Sequence, residues 1–241
     1  MRLLVRSWNL FHGRTHPQSE TLQLERMVRL VTADAPDAVA LQEVPMWGVR
    51  RLESWSGMQA AWAMTMPALL GPVGRALTDA DPRRFRSSLT GQANALLVNP
   101  HLETGRHRRL VLNPGLGRLD RLRGGQRRVC HALEIETPSG RLVLANLHAS
   151  NHPDARVPAA EIARAAGFLA DAPRAVLCGD FNVPRHAVPG YSEPVDGIDQ
   201  ILVRGLALER GPERWPEARR RAGDRLLSDH APVEAVIAWT S

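Results

Sequence analysis

The sequence predicts a layered α/β (α+β) domain, and three observations carry that prediction. Short apolar runs of strand length, rich in Val, Leu, Ile and Ala, recur from one end of the chain to the other. Between some of them the apolar residues fall instead at helical spacing, as at Leu24, Met27, Val28 and Val31. Hairpin signals mix with helical crossovers and no internal repeat is present, which suits layers of sheet and helix rather than a bundle or a solenoid.

The elements follow in order. Leu3 to Trp8 is strand-like and delivers Asn9. The helical spacing then marks an amphipathic helix from about Ser19 to Thr32. Asp37 to Leu41 is a second buried run, with Gln42 and Glu43 directly after it. Pro45 opens a short helix that offers Trp47, Leu52 and Trp55 to the core. Gly57 to Thr90 mixes Trp62, Met64, Met66, Leu69 and Leu70 with Pro67, Gly71, Pro72 and Gly74 before turning basic. It reads as an irregular packed segment, with a substrate-facing loop or a membrane-touching lip as the other readings. Asn94 to Val98 and Leu110 to Leu112 are strand-like. Val129 to Thr137 and Arg141 to Leu147 flank Pro138-Ser139-Gly140, a hairpin signal. A helix from about Ala159 to Ala170 precedes the strand Ala175 to Cys178. Gly197 to Val203 and Val233 to Trp239 supply the last two runs.

Polar residues gather at the ends of these strands. Asp180 and Asn182 follow the Ala175 to Cys178 run at alternate positions, which on an extended backbone face one common space. Asn146 and His148 repeat the arrangement. Asn9, Glu43, Asp199, Asp229 and His230 stand at other strand ends. A single polar strand end commonly serves a loop or faces water, but recurrence on strands that share a core points to one site.

The ordered set Trp8-Asn9, Leu41-Gln42-Glu43, Asn146-Leu147-His148, Gly179-Asp180-Phe181-Asn182, Ile198-Asp199 and Ser228-Asp229-His230 resembles the endonuclease/exonuclease/phosphatase superfamily. The resemblance spans Leu3 to Trp239. It implies a deoxyribonuclease I-like fold, a four-layer sandwich of two mixed sheets flanked by helices, with the site at one edge of the sandwich. It also implies hydrolysis of a phosphoester.

Composition bounds the alternatives. The 241 residues carry 44% hydrophobic side chains, ample for a core, and no apolar run reaches membrane-spanning length. Motifs at both ends and the lack of a linker-like tract favour a single domain over residues 1–241. The N-terminal run is too short for a signal peptide, and Cys130 and Cys178 lie in apolar runs as small hydrophobes, so a cytoplasmic monomer is expected. The net charge is +6, and every basic side chain apart from histidine is arginine. Arginines cluster at Arg83, Arg84 and Arg86, at Arg106, Arg108 and Arg109, and at Arg118, Arg121, Arg123, Arg127 and Arg128. Such clusters are either solvated faces or contacts to a phosphate backbone.

Carboxylates and amides without cysteines suit a hard cation, Mg²⁺ with Mn²⁺ as substitute. Glu43 is the first ligand, with Asn9 and Asp229 completing or steadying the shell, in agreement with the resemblance. His230 is a suitable base for an attacking water, and Asp199 its orienter. Asp180 and Asn182 position the water or the leaving group and hydrogen-bond phosphate oxygens. The leaving oxygen takes its proton from Asp180 or from His148, and His148 is otherwise a donor to the phosphate. Asn94 and Arg128 match secondary positions of the family and are candidate phosphate contacts. His12, His16, His101, His107, His131, His152 and His186 show no metal-ligand spacing and read as surface or loop residues. Nucleic acid, DNA or RNA, is the favoured substrate; a lipid head group or a small phosphorylated metabolite is the alternative, and a binding protein without catalysis is the remote one.

Overall fold

Alternation along β1 (Arg2–Asn9) sets the architecture. Leu3 and Val5 point into one apolar cluster while Trp8 points into another, so both faces of the strand are covered. The computed structural model describes residues 1–19, 21–67, 73, 76, 80, 91–115 and 126–240. After β1 come β2 (Thr15–His16), α1 (Leu24–Thr32), β3 (Ala38–Pro45), the short α2 (Met46–Val49) and α3 (Leu52–Ser56), and β4 (Gln59–Met66). They are followed by β5 (Gln92–Val98), β6 (Glu103–Val111), β7 (Val129–Glu136), β8 (Leu142–His148), α4 (Arg156–Phe168) and β9 (Ala175–Asp180). The order ends with β10 (Asp199–Arg204), β11 (Leu206–Arg214), β12 (Arg221–Ala222), β13 (Arg225–Leu227) and β14 (Val233–Trp239).

Two sheets form the body, six strands in the order β11-β14-β1-β3-β5-β4 and five in the order β10-β9-β8-β7-β6; β12, β13 and β2 make a small third sheet. Val5, Ala40 and Leu96 of the first sheet meet Leu144, Val176 and Ile201 of the second in the central core. Met27, Val28, Val31 and Leu52 cover the outer face of the first sheet, and Ile162, Ala165 and Leu169 cover that of the second. The layers therefore run helix, sheet, sheet, helix, the expected four-layer α+β sandwich.

Strand direction explains why polar ends converge. β1 is parallel to β3 and β8 is parallel to β9, so their C-terminal ends lie at one edge. β10 and β14 run antiparallel to β9 and β1, which brings their N-terminal ends to the same edge.

Several elements differ from the sequence-based expectation. Helix α1 starts at Leu24, not near Ser19, because the Gln23 N–H is drawn out of helical pairing to the Gly13 carbonyl at 2.7 Å. Helix α4 begins at Arg156, earlier than Ala159, since Pro158 falls in its first turn, where no N–H is needed. The segment expected to be irregular from Gly57 opens with the regular edge strand β4, and residues 68–72, 74–75, 77–79 and 81–90 of it lie outside the described residues. β6 begins at Glu103 rather than Leu110; its arginines and exposed edge position hide the alternation. His131 is not at the surface but fully buried on β7, 3.1 Å from the edge-strand residue His107. Among the described residues, no helix is long and apolar enough to cross a membrane.

Two buried polar devices lock the body. The Asn146 amide crosses between the sheets, donating through Nδ2 to the Leu41 and Ala95 carbonyls at 2.9 Å each and accepting from Gln42 Nε2 at 2.8 Å. A bulge between Leu41 and Val44 interrupts the β3–β5 ladder there, which frees carbonyls for a side-chain donor. On the outer face, Arg6 is fully buried and binds the Val31 carbonyl, Asp34 and Glu234, with its guanidinium over Trp215.

Asn146→Ala strands two carbonyls and one amide in the interior, and urea unfolding should show a loss of about 3 kcal/mol. The Arg6 hydrogen bond holds the Asp34 carboxyl below its ordinary value. Burial acts to raise Glu234, but Trp215 and Arg6 hold it low as well. Depressed carboxyls contribute stability above their unfolded values, and that contribution is lost as pH falls through the folded ones. Unfolding free energy should therefore decline below about pH 4, and Asp34→Asn should decline less over the same interval, as urea titrations across pH will report.

Candidate functional site

The site is built from strand ends. Asn9 ends β1, His148 ends β8, Asp180 ends β9 and Asp199 opens β10. Alternation along β8 and β9 places Leu144 and Val176 in the central core and so carries His148 and Asp180 to the same inner face at the rim. Gly179 permits the ending of β9: its φ is +135°, and a Cβ there would stand 1.9 Å from the Leu147 carbonyl oxygen. Glu43 reaches the site by another route. Leu41 and Val44 both face the outer cluster, and Glu43 between them adopts φ 55° within the bulge, so its side chain turns back toward the inner rim.

Six titratable side chains form a file in which imidazoles and carboxylates alternate. His12 Nε2 lies 3.0 Å from Glu43 Oε2. Glu43 Oε1 lies 4.0 Å from His148 Nδ1, and His148 Nε2 lies 3.5 Å from Asp180 Oδ2. The same Asp180 oxygen is 3.8 Å from His230 Nε2, and His230 Nδ1 is 2.9 Å from Asp199. Ligating atoms of Asp180, Asp199 and His230 all fall within 4.8 Å of one another. Asn9 Nδ2 donates to Asp180 Oδ2 at 3.1 Å, and the Asn182 N–H donates to Asp180 Oδ1 at 3.0 Å.

Burial and crowding set the charges. Burial, then the Asp180 charge, pushes Glu43 up to about 7. Burial, then Asp199, raises Asp180 to about 6. His148 is held well below the ordinary imidazole range by burial and by the charges of Arg128 and His230. His230 moves the other way: burial opposes its charge, but Asp199 contact and nearby acids lift it to about 9. His12 falls to about 4 through burial and the charge of Arg14.

Other expected residues take more particular positions. Asn182 does not extend the strand alternation; its backbone is left-handed at φ 51°, and its Nδ2 holds the Ala149 carbonyl at 3.0 Å. Asp229 is partly exposed and lies 4.0 Å from His230 Nε2. Arg128 is lowered by burial, against which the charges of Glu161, Glu43 and Asp180 act. Asn94 is buried, donating to the Val129 carbonyl at 3.3 Å. Of the arginine clusters, Arg108 is committed to Asp171 through two hydrogen bonds, while Arg106, Arg109 and Arg127 are exposed. Arg83, Arg84, Arg86, Arg118, Arg121 and Arg123 lie outside the described residues.

His12, expected as a loop or surface residue, belongs to the site; a two-residue left-handed turn, invisible to spacing rules, carries it there. Arg220 was equally unmarked in the sequence. It is buried and donates to the Leu227, Ser228 and His230 carbonyls, holding the loop that presents Asp229 and His230. Trp8 Nε1 holds the His230 carbonyl from the other side at 2.9 Å, and Ser228 Oγ donates to the Asn9 carbonyl at 2.7 Å.

The sequence profile described as the Endonuclease/Exonuclease/phosphatase family matches residues 7–230. The chain belongs to this family. Members of the endonuclease/exonuclease/phosphatase family are phosphoesterases, nucleases and phosphatases among them. No curated protein matches the chain. Solved structures do. A conserved protein of unknown function from Enterococcus faecalis superposes with TM-score 0.72 at 17% identity, over 99% of this chain and 100% of that one. An endonuclease/exonuclease/phosphatase from Beutenbergia cavernae gives 0.69 at 16% identity, covering 99% of this chain and 72% of that one. The human Nocturnin catalytic domain, solved with a bound sulfate anion, gives 0.67 at 15% identity over 99% and 94%. These likenesses establish the deoxyribonuclease I-like fold.

In the metal-free protein, NMR titration of the imidazole nitrogens should place His230 near 9. Asp199→Asn removes the largest contribution that favours its charge, so the His230 midpoint should fall in that variant. An unchanged midpoint would show that Asp199 does not hold the imidazolium.

Proposed function

We propose that this protein is a divalent-metal-dependent phosphoester hydrolase, a monomeric cytoplasmic enzyme using Mg²⁺ or Mn²⁺, with nucleic acid as its favoured substrate. One observation carries the reading. Four carboxylates, Glu43, Asp180, Asp199 and Asp229, converge at a rim where burial and mutual repulsion raise Glu43 and Asp180. Such crowding is relieved by a divalent cation. The donors fit a hard ion: Glu43 supplies a carboxylate, Asn9 an amide oxygen and Asp229 a partly exposed carboxylate. When bound, the ion supplies Lewis-acid polarisation of a phosphoryl oxygen.

The chain's own residues supply the remainder. His230, fixed through Nδ1 by Asp199, presents Nε2 toward an attacking water. Positive charge at the Glu43 end favours the neutral ring that a base requires. His148, kept neutral by burial, is suited to donate a hydrogen bond to a phosphate oxygen. Asp180, raised to about 6, is the better source of a proton for the leaving oxygen. Asn182 fixes the Asp180 carboxylate through its N–H, and Arg128 and Asn94 are the candidate phosphate contacts.

Nucleic acid is supported by the family's endonuclease and exonuclease members, by the +6 charge, and by Arg128 with exposed Arg106, Arg109 and Arg127. A lipid head group is the second reading, favoured by Trp62 and Met64, which are 41% and 44% exposed on the edge strand β4.

Purified protein should hydrolyse bis-p-nitrophenyl phosphate with Mg²⁺ or Mn²⁺ and lose that activity in EDTA. Asp180→Ala should cut the rate by roughly 10³-fold. Activity indifferent to EDTA and to Asp180→Ala removes the reading. Supercoiled, abasic-site and single-stranded DNA, phosphoinositides and nucleotides, compared side by side, separate the substrate classes. DNA binding should weaken steeply with salt, whereas turnover of phosphoinositides alone selects the lipid reading.

A further inference from the structure

His12 takes no part in the chemistry assigned so far, yet its position is heavily determined. Phe11 and His12 are consecutive non-glycine residues at φ 46° and 57°, a left-handed conformation that costs about 1–2 kcal/mol per residue. The turn is held by Asn9 Oδ1, which accepts the Phe11 N–H at 3.0 Å, and by the Gly13 N–H on the Leu10 carbonyl at 2.8 Å. The same Asn9 amide donates to Asp180. One side chain therefore orients a central acid of the site and shapes the turn that aims an imidazole at Glu43.

The distance at the end of that turn has a chemical meaning. Octahedral ions with metal–ligand bonds of about 2.1 Å hold adjacent donor atoms about 3.0 Å apart. His12 Nε2 and Glu43 Oε2 are 3.0 Å apart. His148 Nδ1 stands 4.0 Å from the other Glu43 oxygen, wider than such a pair. An imidazole nitrogen beside a carboxylate oxygen suits first-row transition ions, which accept a nitrogen donor in an octahedral shell, more than Mg²⁺, which keeps an all-oxygen one.

Resting on the cation site proposed above, we propose that His12 Nε2 is a metal ligand adjacent to Glu43, making a mixed nitrogen–oxygen site that selects Mn²⁺ or Co²⁺ over Mg²⁺. The selectivity belongs to His12, while occupancy itself belongs to Glu43.

Calorimetric titration of the metal-free full chain with MgCl₂ and MnCl₂, with pulsed EPR of bound Mn²⁺, tests this. Wild-type protein should bind Mn²⁺ more tightly than Mg²⁺ and show nitrogen hyperfine coupling. His12→Asn suits the test because asparagine tolerates a left-handed backbone. It should lose the coupling and about tenfold or more in Mn²⁺ affinity, with Mg²⁺ affinity unchanged, while His148→Asn keeps the coupling. His12→Gln gives the same comparison should His12→Asn unfold at a lower temperature. Coupling that survives in both His12 variants, or equal weakening of both ions, overturns the proposal and leaves His12 as a positioning partner of Glu43. Glu43→Gln separates the two levels: Mn²⁺ bound as tightly by that variant as by wild type defeats the underlying cation site at Glu43.

Discussion

One buried amide sets the distance between the two halves of the site. Asn146 stands on the second sheet, and its three hydrogen bonds all end on the first. The apolar core to which Ala40 and Leu144 both belong holds the sheets together without fixing how far one slides over the other. Directional bonds to Leu41, Gln42 and Ala95 do fix it. Glu43 follows Gln42 directly and His148 lies two residues beyond Asn146, so the bridge sets the height at which this carboxylate and this imidazole face each other. The polar layer is not free: among the described residues Gln42 Oε1, Asn94 Oδ1 and His131 Nε2 are buried without a partner. Each such group costs about 1–3 kcal/mol, which an apolar interlayer would not incur.

The other half of the positioning runs through β1. Ser7 accepts from Gln42, Trp8 holds the His230 carbonyl, and Asn9 holds Asp180 while its own carbonyl takes Ser228 Oγ. Three consecutive residues thus key the bridge, the base loop and the central acid to a single strand. Their side chains alternate faces, so Trp8 works from the outer face while Ser7 and Asn9 work from the inner one. Arg220 completes the outer support, since a loop whose carbonyls are turned inward needs a donor beneath it, and its guanidinium serves three of them. The His230 ring is fixed at both ends, by its backbone from below and by Asp199 from the side.

The parts legible in the sequence are those that regular geometry controls. Strand alternation places Asn9, His148, Asp180 and Asp199 on one rim because their strands run regularly to the last residue. It fails where the backbone leaves the extended region. Glu43 was expected at the site from its motif, but alternation alone would send it to the outer face; the bulge with φ 55° turns it back. Asn182 was expected to lie parallel to Asp180 on a continuing strand, and instead it leaves the strand in a left-handed turn that supports the acid from behind. His12 is illegible for the same reason, since no periodicity describes two successive left-handed residues. His131 is illegible for a different one. Its neighbour His107 gives it a polar contact within the core, and a contact with the next strand has no sequence signature.

The spacing within the file separates what is fixed from what is left to react. Contacts at its two ends are direct, 3.0 Å at His12–Glu43 and 2.9 Å at His230–Asp199. Those at its centre are longer than hydrogen bonds, 3.5 Å and 3.8 Å from Asp180 Oδ2 to His148 and His230. Asp180 is nevertheless held, because the Asn182 N–H takes Oδ1 and the Asn9 amide takes Oδ2. Those donors fix the orientation of the carboxylate without adding charge, and neither imidazole closes on it. A central acid oriented by neutral donors and approached by two imidazoles beyond bonding distance keeps its reactive oxygen for a third group. The strand ends converge on that oxygen, and the Asn146 bridge beneath them keeps its surroundings at that distance.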